Sequence, residues 1–251
     1  MSDYLRVIED KLSSDTAVPL LAATGVNLSS AKIAQSIFNT TLNKNEINQV
    51  NIALNKTCSD INKLTKSDIK ITHVSPKNCP KKTKLPNFIE SLFNDFISCS
   101  KGKNALFNVN KNKVCLNRGK MPLAGFHELG HAYNANSSKF LKGLQYMDPV
   151  CVSLAVGFMF LPLLIKKTPE SAAKKEDKIK NKIREASPYM AMGVCAPIVA
   201  EEGLASLRAN KFAKNHLSPK LLKKMNVSNS FSLLTYLSAA LMFGIFTKSE
   251  V

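Results

Sequence analysis

The 251-residue sequence holds no tryptophan and only four arginines, Arg6, Arg118, Arg184 and Arg208. Arginine reads phosphates and base edges through paired hydrogen bonds. Its scarcity, with no RNP, helix-turn-helix or finger pattern, argues against a sequence-specific nucleic-acid reader. Six cysteines are too few for a disulfide-built scaffold, and none forms a C-x-x-C pair, so a structural zinc knuckle is not expected. Glycine and proline stay at ordinary levels and 45% of residues are hydrophobic, which excludes collagen and low-complexity disorder. Met1-Ser-Asp-Tyr4 opens no basic stretch followed by an apolar one, so no secretory signal is expected and reduced thiols are the default. In an oxidising compartment Cys58, Cys79, Cys99 and Cys115 would be available for two bridges. Cys151 and Cys195 lie in apolar runs and read as small buried hydrophobes.

What is abundant is lysine. Thirty-five Lys and Arg face 18 Asp and Glu, a formal charge of +17 and a pI near 9.6. With so little arginine, this charge points to solvated faces and anionic headgroups rather than to nucleic acid. The length suffices for one large domain or two small ones.

Residues 1–66 read as an N-terminal helical region of unassigned role. Ile47, Val50, Leu54, Cys58 and Ile61 recur at three and four residues, the apolar stripe of an amphipathic helix. Ser29 or Ser30 is placed to cap a helix carrying Ile33, Ala34, Ile37, Phe38 and Thr41. Residues 67–147 form the next segment. Asp68–Val74 alternates like a strand, with Ile69, Ile71 and His73 on one face, and 75–84 reads as an exposed loop. Helical spacing returns over 86–99 through Phe88, Leu92, Phe93 and Phe96. Ala105–Val109 and Val114–Leu116 read as a β-hairpin, and a helix is expected from Pro122 to about Asn136. Residues 148–200 read as an apolar helical hairpin, with Asp148 capping its first helix and a charged linker between its arms. Residues 201–251 complete the chain with a polar helix and a last apolar one. The apolar runs Val150–Ile165, Tyr189–Ala200 and Phe231–Phe246 are each shorter than the roughly 18–20 residues of a membrane span.

Chemistry concentrates in His127-Glu128-Leu129-Gly130-His131, an H-E-x-x-H on the expected helix. Positions i and i+4 share a helix face, so both imidazoles can bind one Zn²⁺ while Glu128 reaches the water beside it. Two of only four histidines fall in this pentapeptide. Gly130 would leave space beside the metal. A catalytic zinc needs a third ligand and an open position. The metzincin continuation is absent, since Asn134 and Ser137 stand where Gly and His should be. The best source of a third ligand is the helical stretch Glu201-Glu202-Gly-Leu-Ala-Ser-Leu-Arg-Ala209, in which either Glu201 or Glu202 could serve.

The order of these parts, H-E-L-G-H-A, an apolar hairpin, then E-x-x-A-S about seventy residues on, resembles the membrane-associated zinc peptidases of the gluzincin type, the HtpX-like and YugP-like families. The resemblance spans about residues 103–212 and is closer to the YugP-like pattern, because HtpX-like enzymes carry Asp where Ser206 stands. It implies Glu202 as third zinc ligand, with Glu201 the fallback, and Ser206 as a partner orienting an imidazole. His216, Arg208 and Tyr133 are candidates for stabilising an oxyanion.

The expected fold is therefore α+β, mostly helical: a zincin-like domain with a small sheet and an inserted apolar, transmembrane hairpin. The expected activity is zinc-dependent hydrolysis of peptide bonds with Glu128 as general base. The substrate would be a peptide or protein, including a membrane protein, bound in extended form along a sheet edge near Val114–Leu116. The alternatives are a catalytically inactive zinc-binding membrane scaffold and a basic protein on anionic lipid. Eight basic residues lie in the linker from Lys166 to Arg184, and eight more, from Lys139 to Lys224, flank the hairpin on the catalytic side. The positive-inside rule is thus tied. An integral, multi-pass protein with a cytoplasmic catalytic face is expected, because 145 residues without a signal are hard to translocate.

Overall fold

The computed structural model describes residues 22–30, 32–33, 42–74, 105–169 and 174–249. They are mostly helical, with one small three-stranded sheet. In chain order come α1 (Lys44–Thr65), β1 (Lys70–His73), β2 (Leu106–Asn108), β3 (Lys113–Leu116), α2 (Ala124–Ser137), α3 (Lys139–Leu164), α4 (Lys175–Gly193), α5 (Ala196–Ala213) and α6 (Pro219–Ser249). Residues 22–30 are also helical, so Ser29 and Ser30 lie within a helix rather than in front of one. Ala34, Ile37, Phe38 and Thr41, the expected 75–84 loop and 86–99 helix, and Cys79 and Cys99 all fall outside the described residues.

The chain divides into two compact units, Ala31–Gln145 with Glu201–Leu233, and Met1–Ser30 with Tyr146–Ala200 and Leu234–Val251. The first has an ordinary core. Its α1 starts at a capping box, in which Asn43 Oδ1 accepts the Glu46 amide and Glu46 Oε2 accepts the Asn43 amide. Val50, Leu54, Cys58 and Ile61 are buried as the stripe requires. They pack with Val114 and Leu116 of β3 and with Leu123, Phe126 and Leu129 around α2. Cys58 Sγ donates to the Ile69 carbonyl, and burial pushes its thiol up to about 11. Cys58, Cys115, Cys151 and Cys195 are all free and buried.

The hairpin forms where expected, β2 antiparallel to β3, with Asn112 in the left-handed region at φ 48° in its turn. β1 runs parallel to the other side of β3, which gives the order β1-β3-β2. This corrects one expectation: the strand just before α2 is central, so among the described residues the sheet edges are β1 and β2. On β1, Ile69 just before it is buried and Ile71 half-buried, while His73 is exposed and accepts the Arg118 amide. α2 starts at Ala124, two residues after Pro122, which sits in the preceding turn.

The second unit buries Ala155, Cys195 and Ala240 against Val194, Val199 and Phe243, and leaves Val150, Leu154, Phe160, Leu163, Leu237 and Leu241 exposed. Three helical segments, Lys139–Leu164, Lys175–Ala213 and Pro219–Lys248, are long and apolar enough to cross a membrane. The apolar runs Val150–Ile165 and Phe231–Phe246 therefore belong to the C-terminal parts of the longer helices α3 and α6, and Tyr189–Ala200 spans the break between α4 and α5. Asp148 is not a cap: α3 begins at Lys139 after Ser138, and both Asp148 and Pro149 lie inside it. The charged linker is also largely helical, because α4 takes it up from Lys175 with Glu176 and Asp177 in its first turn. Asn181 binds both main-chain groups of Thr168, and Arg184 donates to the Ile165 carbonyl, so the ends of this segment are tied together.

Candidate metal centre

The helix α2 carries His127 and His131 one turn apart, and α5 carries Glu202. Leu123, Phe126 and Leu129 anchor α2 in the core. Its approach to α5 is set by Gly130. A Cβ there would fall on the Ala205 carbonyl oxygen, with the Ala205 carbonyl carbon at 2.8 Å. The space expected beside the metal is instead taken by the main chain of α5.

This close approach brings three donors together. His127 Nε2 lies 3.0 Å from Glu202 Oε2 and 3.0 Å from His131 Nε2, and His131 Nε2 lies 3.6 Å from Glu202 Oε2. The group can hold a metal ion. The triangle fits one ion at about 2.0–2.2 Å from each corner, the distance at which zinc takes His and carboxylate ligands.

The outward nitrogens are held as well. His127 Nδ1 is 3.2 Å from Ser206 Oγ, one turn beyond Glu202. His131 Nδ1 donates to Glu201 Oε2 at 2.6 Å. Glu201 Oε1 accepts from Asn134 Nδ2 at 3.0 Å and from Gln145 Nε2 at 2.7 Å, and Gln145 also donates to the His131 carbonyl at 2.9 Å. Glu201 thus lies behind the triad and Glu202 within it. Asn134 is visible in the sequence as the residue three after His131, on the same helix face. Gln145 carries no sequence signal at all.

Glu128 is buried beside the triad but is not part of it. Burial pushes its carboxyl above the usual range and the Glu202 charge adds to this, against the two imidazoles and a Phe107 main-chain hydrogen bond. For His131, burial alone would lower the pKa. The charge of Glu202 and the bonds to Glu201 and Glu202 outweigh it and raise the value well above normal.

A pH dependence follows. The proton on the His131 pair must leave before Nε2 can bind an ion, and a raised pKa keeps it there longer. Metal affinity should therefore rise with pH, by up to about tenfold per unit for one displaced proton, until that raised pKa is passed. Zinc titrations at several pH values between about 6 and 8 check this, and a flat profile contradicts it.

The other candidates are placed apart from these bonds. The Arg208 guanidinium lies 4.7 Å over the Tyr133 ring, which packs on Phe212. His216 Nε2 is 2.7 Å from Asp60 Oδ2, which joins the α5–α6 connection to α1. Among the described residues, none of the three is hydrogen-bonded to the triad. No protein-family model, curated protein or solved structure matches this chain.

Proposed function

We propose that the chain is a membrane-associated zinc endopeptidase of the gluzincin type, with a zincin-like domain built on α2, α5 and the small sheet. One observation carries this: His127, His131 and Glu202 converge on a single point with Glu128 buried alongside. Two imidazoles and one carboxylate suit zinc among the available metals. Zinc held there would polarise a scissile carbonyl and make water a nucleophile near neutral pH. Glu128, held poised by its burial, takes the proton of the attacking water and returns it to the leaving amine. An extended peptide would add along β2, whose Phe107 main chain reaches Glu128, by the main-chain hydrogen bonding of strand addition. Ser206 and Glu201 keep the imidazoles in place. Roles for Arg208, Tyr133 and His216 in binding an oxyanion draw no support from their contacts. An intact Glu128 favours an enzyme over an inactive scaffold.

The three long apolar helices and the lysine-rich segments around them support integral insertion in an anionic membrane. The catalytic residues are assigned to the cytoplasmic face, with peptide or membrane-protein segments as substrate. The test is direct. Purified protein should contain one zinc, cleave casein, lose activity to a chelator and regain it with zinc. In cells it should stay in the membrane pellet after carbonate extraction. Release into the supernatant would rule out integral insertion, and a protein that binds zinc but cleaves nothing would leave the scaffold.

A further inference from the structure

Glu201 is 1% exposed, and a buried carboxylate is costly unless it is paired and hydrogen-bonded. Here both carboxylate oxygens are engaged: Oε2 by His131 Nδ1, on the far side of the ring from Nε2, and Oε1 by the amides of Asn134 and Gln145. Glu201 cannot then reach the ion without breaking that set. Its neighbour Glu202, about 100° further round the same helix, faces His127 and His131 instead. One pair of adjacent carboxylates is thus divided between two layers of the same centre.

We propose that Glu201 is the positioning residue of the metal centre, and that Asn134 and Gln145 hold it in that role. An imidazole whose Nδ1 proton is pinned by a carboxylate presents the Nε2 lone pair to a metal and is a stronger donor. His131 has this support, whereas His127 Nδ1, among the described residues, meets only the neutral hydroxyl of Ser206. The two ligands are therefore unequal, with His131 the stronger. Gln145 adds a second restraint, because one amide group holds both Glu201 and the main chain of His131. The carboxylate and the helix that bears its target cannot drift apart independently.

The inference rests on the metal-site reading above, and its test separates the two. The full-length protein in detergent, stripped of metal, is titrated with zinc against a chromophoric chelator, and with Co²⁺ while its visible d–d absorption is recorded. Glu201→Gln keeps the shape and removes the charge. It should weaken zinc binding by about 10–100-fold and shift the cobalt bands, while the metal-free protein keeps its helical circular dichroism at the temperature of the titration. Gln145→Leu should weaken binding in the same direction by a smaller factor. If the wild type binds no zinc, the metalloenzyme reading falls and takes the inference with it. If the wild type binds zinc and Glu201→Gln matches it in affinity and cobalt spectrum, the inference alone falls. It also falls if the loss of affinity is accompanied by a matching loss of helicity in the metal-free protein, since Glu201 would then act through folding.

Discussion

Glu128→Gln should abolish peptide cleavage and leave zinc binding intact. Glu128 is on α2 next to His127 but outside the triangle of donors, so its loss removes no ligand. Glutamine has the same length and can still accept the hydrogen bond from the Phe107 main chain. What it cannot do is take a proton from water, and removing a general base costs about 10²–10⁴-fold in rate. The substitution also removes a buried carboxyl whose ionisation burial opposes, so the folded protein should be no less stable. His131→Ala is the contrasting case, expected to lose both zinc and cleavage. Casein cleavage with bound zinc quantified in each variant gives the answer, and cleavage surviving Glu128→Gln would eliminate this mechanism.

Gly130→Ala should break the centre without touching a ligand. The added methyl falls on a main-chain carbonyl of α5, which has no rotamer by which to move aside. α2 and α5 must separate, and overpacking of this kind costs about 1–3 kcal/mol. The larger effect is on geometry, because His127 and His131 leave with one helix and Glu202 stays with the other. Zinc affinity should drop by about 100-fold, on the scale of a lost supporting interaction or more. Gly143→Ala on α3 is the control. Among the described residues nothing lies within 4 Å of a Cβ there, and alanine is the better helix former by about 1 kcal/mol. Equal zinc affinity in the two alanine variants would show that the α2–α5 approach does not set the site.

Local patterns in the sequence carried the parts that short-range physics fixes. The stripe Val50, Leu54, Cys58, Ile61 has helical spacing and is buried as a helix. The Val114–Leu116 strand pairs with the run before it. His127 and His131 share a face because their spacing dictates it. The failures have equally definite causes. The central place of β3 was unreadable because β1, across a long connection, pairs with its other side, and no local pattern reports a distant partner. Asp148-Pro149 looks like a helix start, yet α3 already runs from Lys139 and passes through that proline. The segment after Lys174 is largely exposed, as its charge indicates, but lysine, glutamate and alanine also enter helices readily, so it is helical, and tertiary bonds from Asn181 and Arg184 hold its ends. Glu201 and Glu202 are chemically identical neighbours. Only the direction in which α5 turns each one distinguishes a ligand from its support.

The spacing of the centre along the chain has a consequence for biosynthesis. His127 and Glu202 are 75 residues apart, with most of two apolar helices between them. A ribosome that has delivered the H-E-x-x-H helix has therefore delivered only two of the three donors, and the carboxylate that orients His131 is also still to come. Closing a loop of that length carries an entropic penalty of a few kcal/mol, and only the arrival of Glu202 lets the centre contribute to offsetting it. The nascent protein is thus without a complete centre until its apolar segment and α5 have both been made. Under the proposed function, hydrolytic competence would arrive late in synthesis, after the helices that are long and apolar enough to cross a membrane, and a peptidase built in this order would have little opportunity to cut polypeptides before its synthesis is nearly complete.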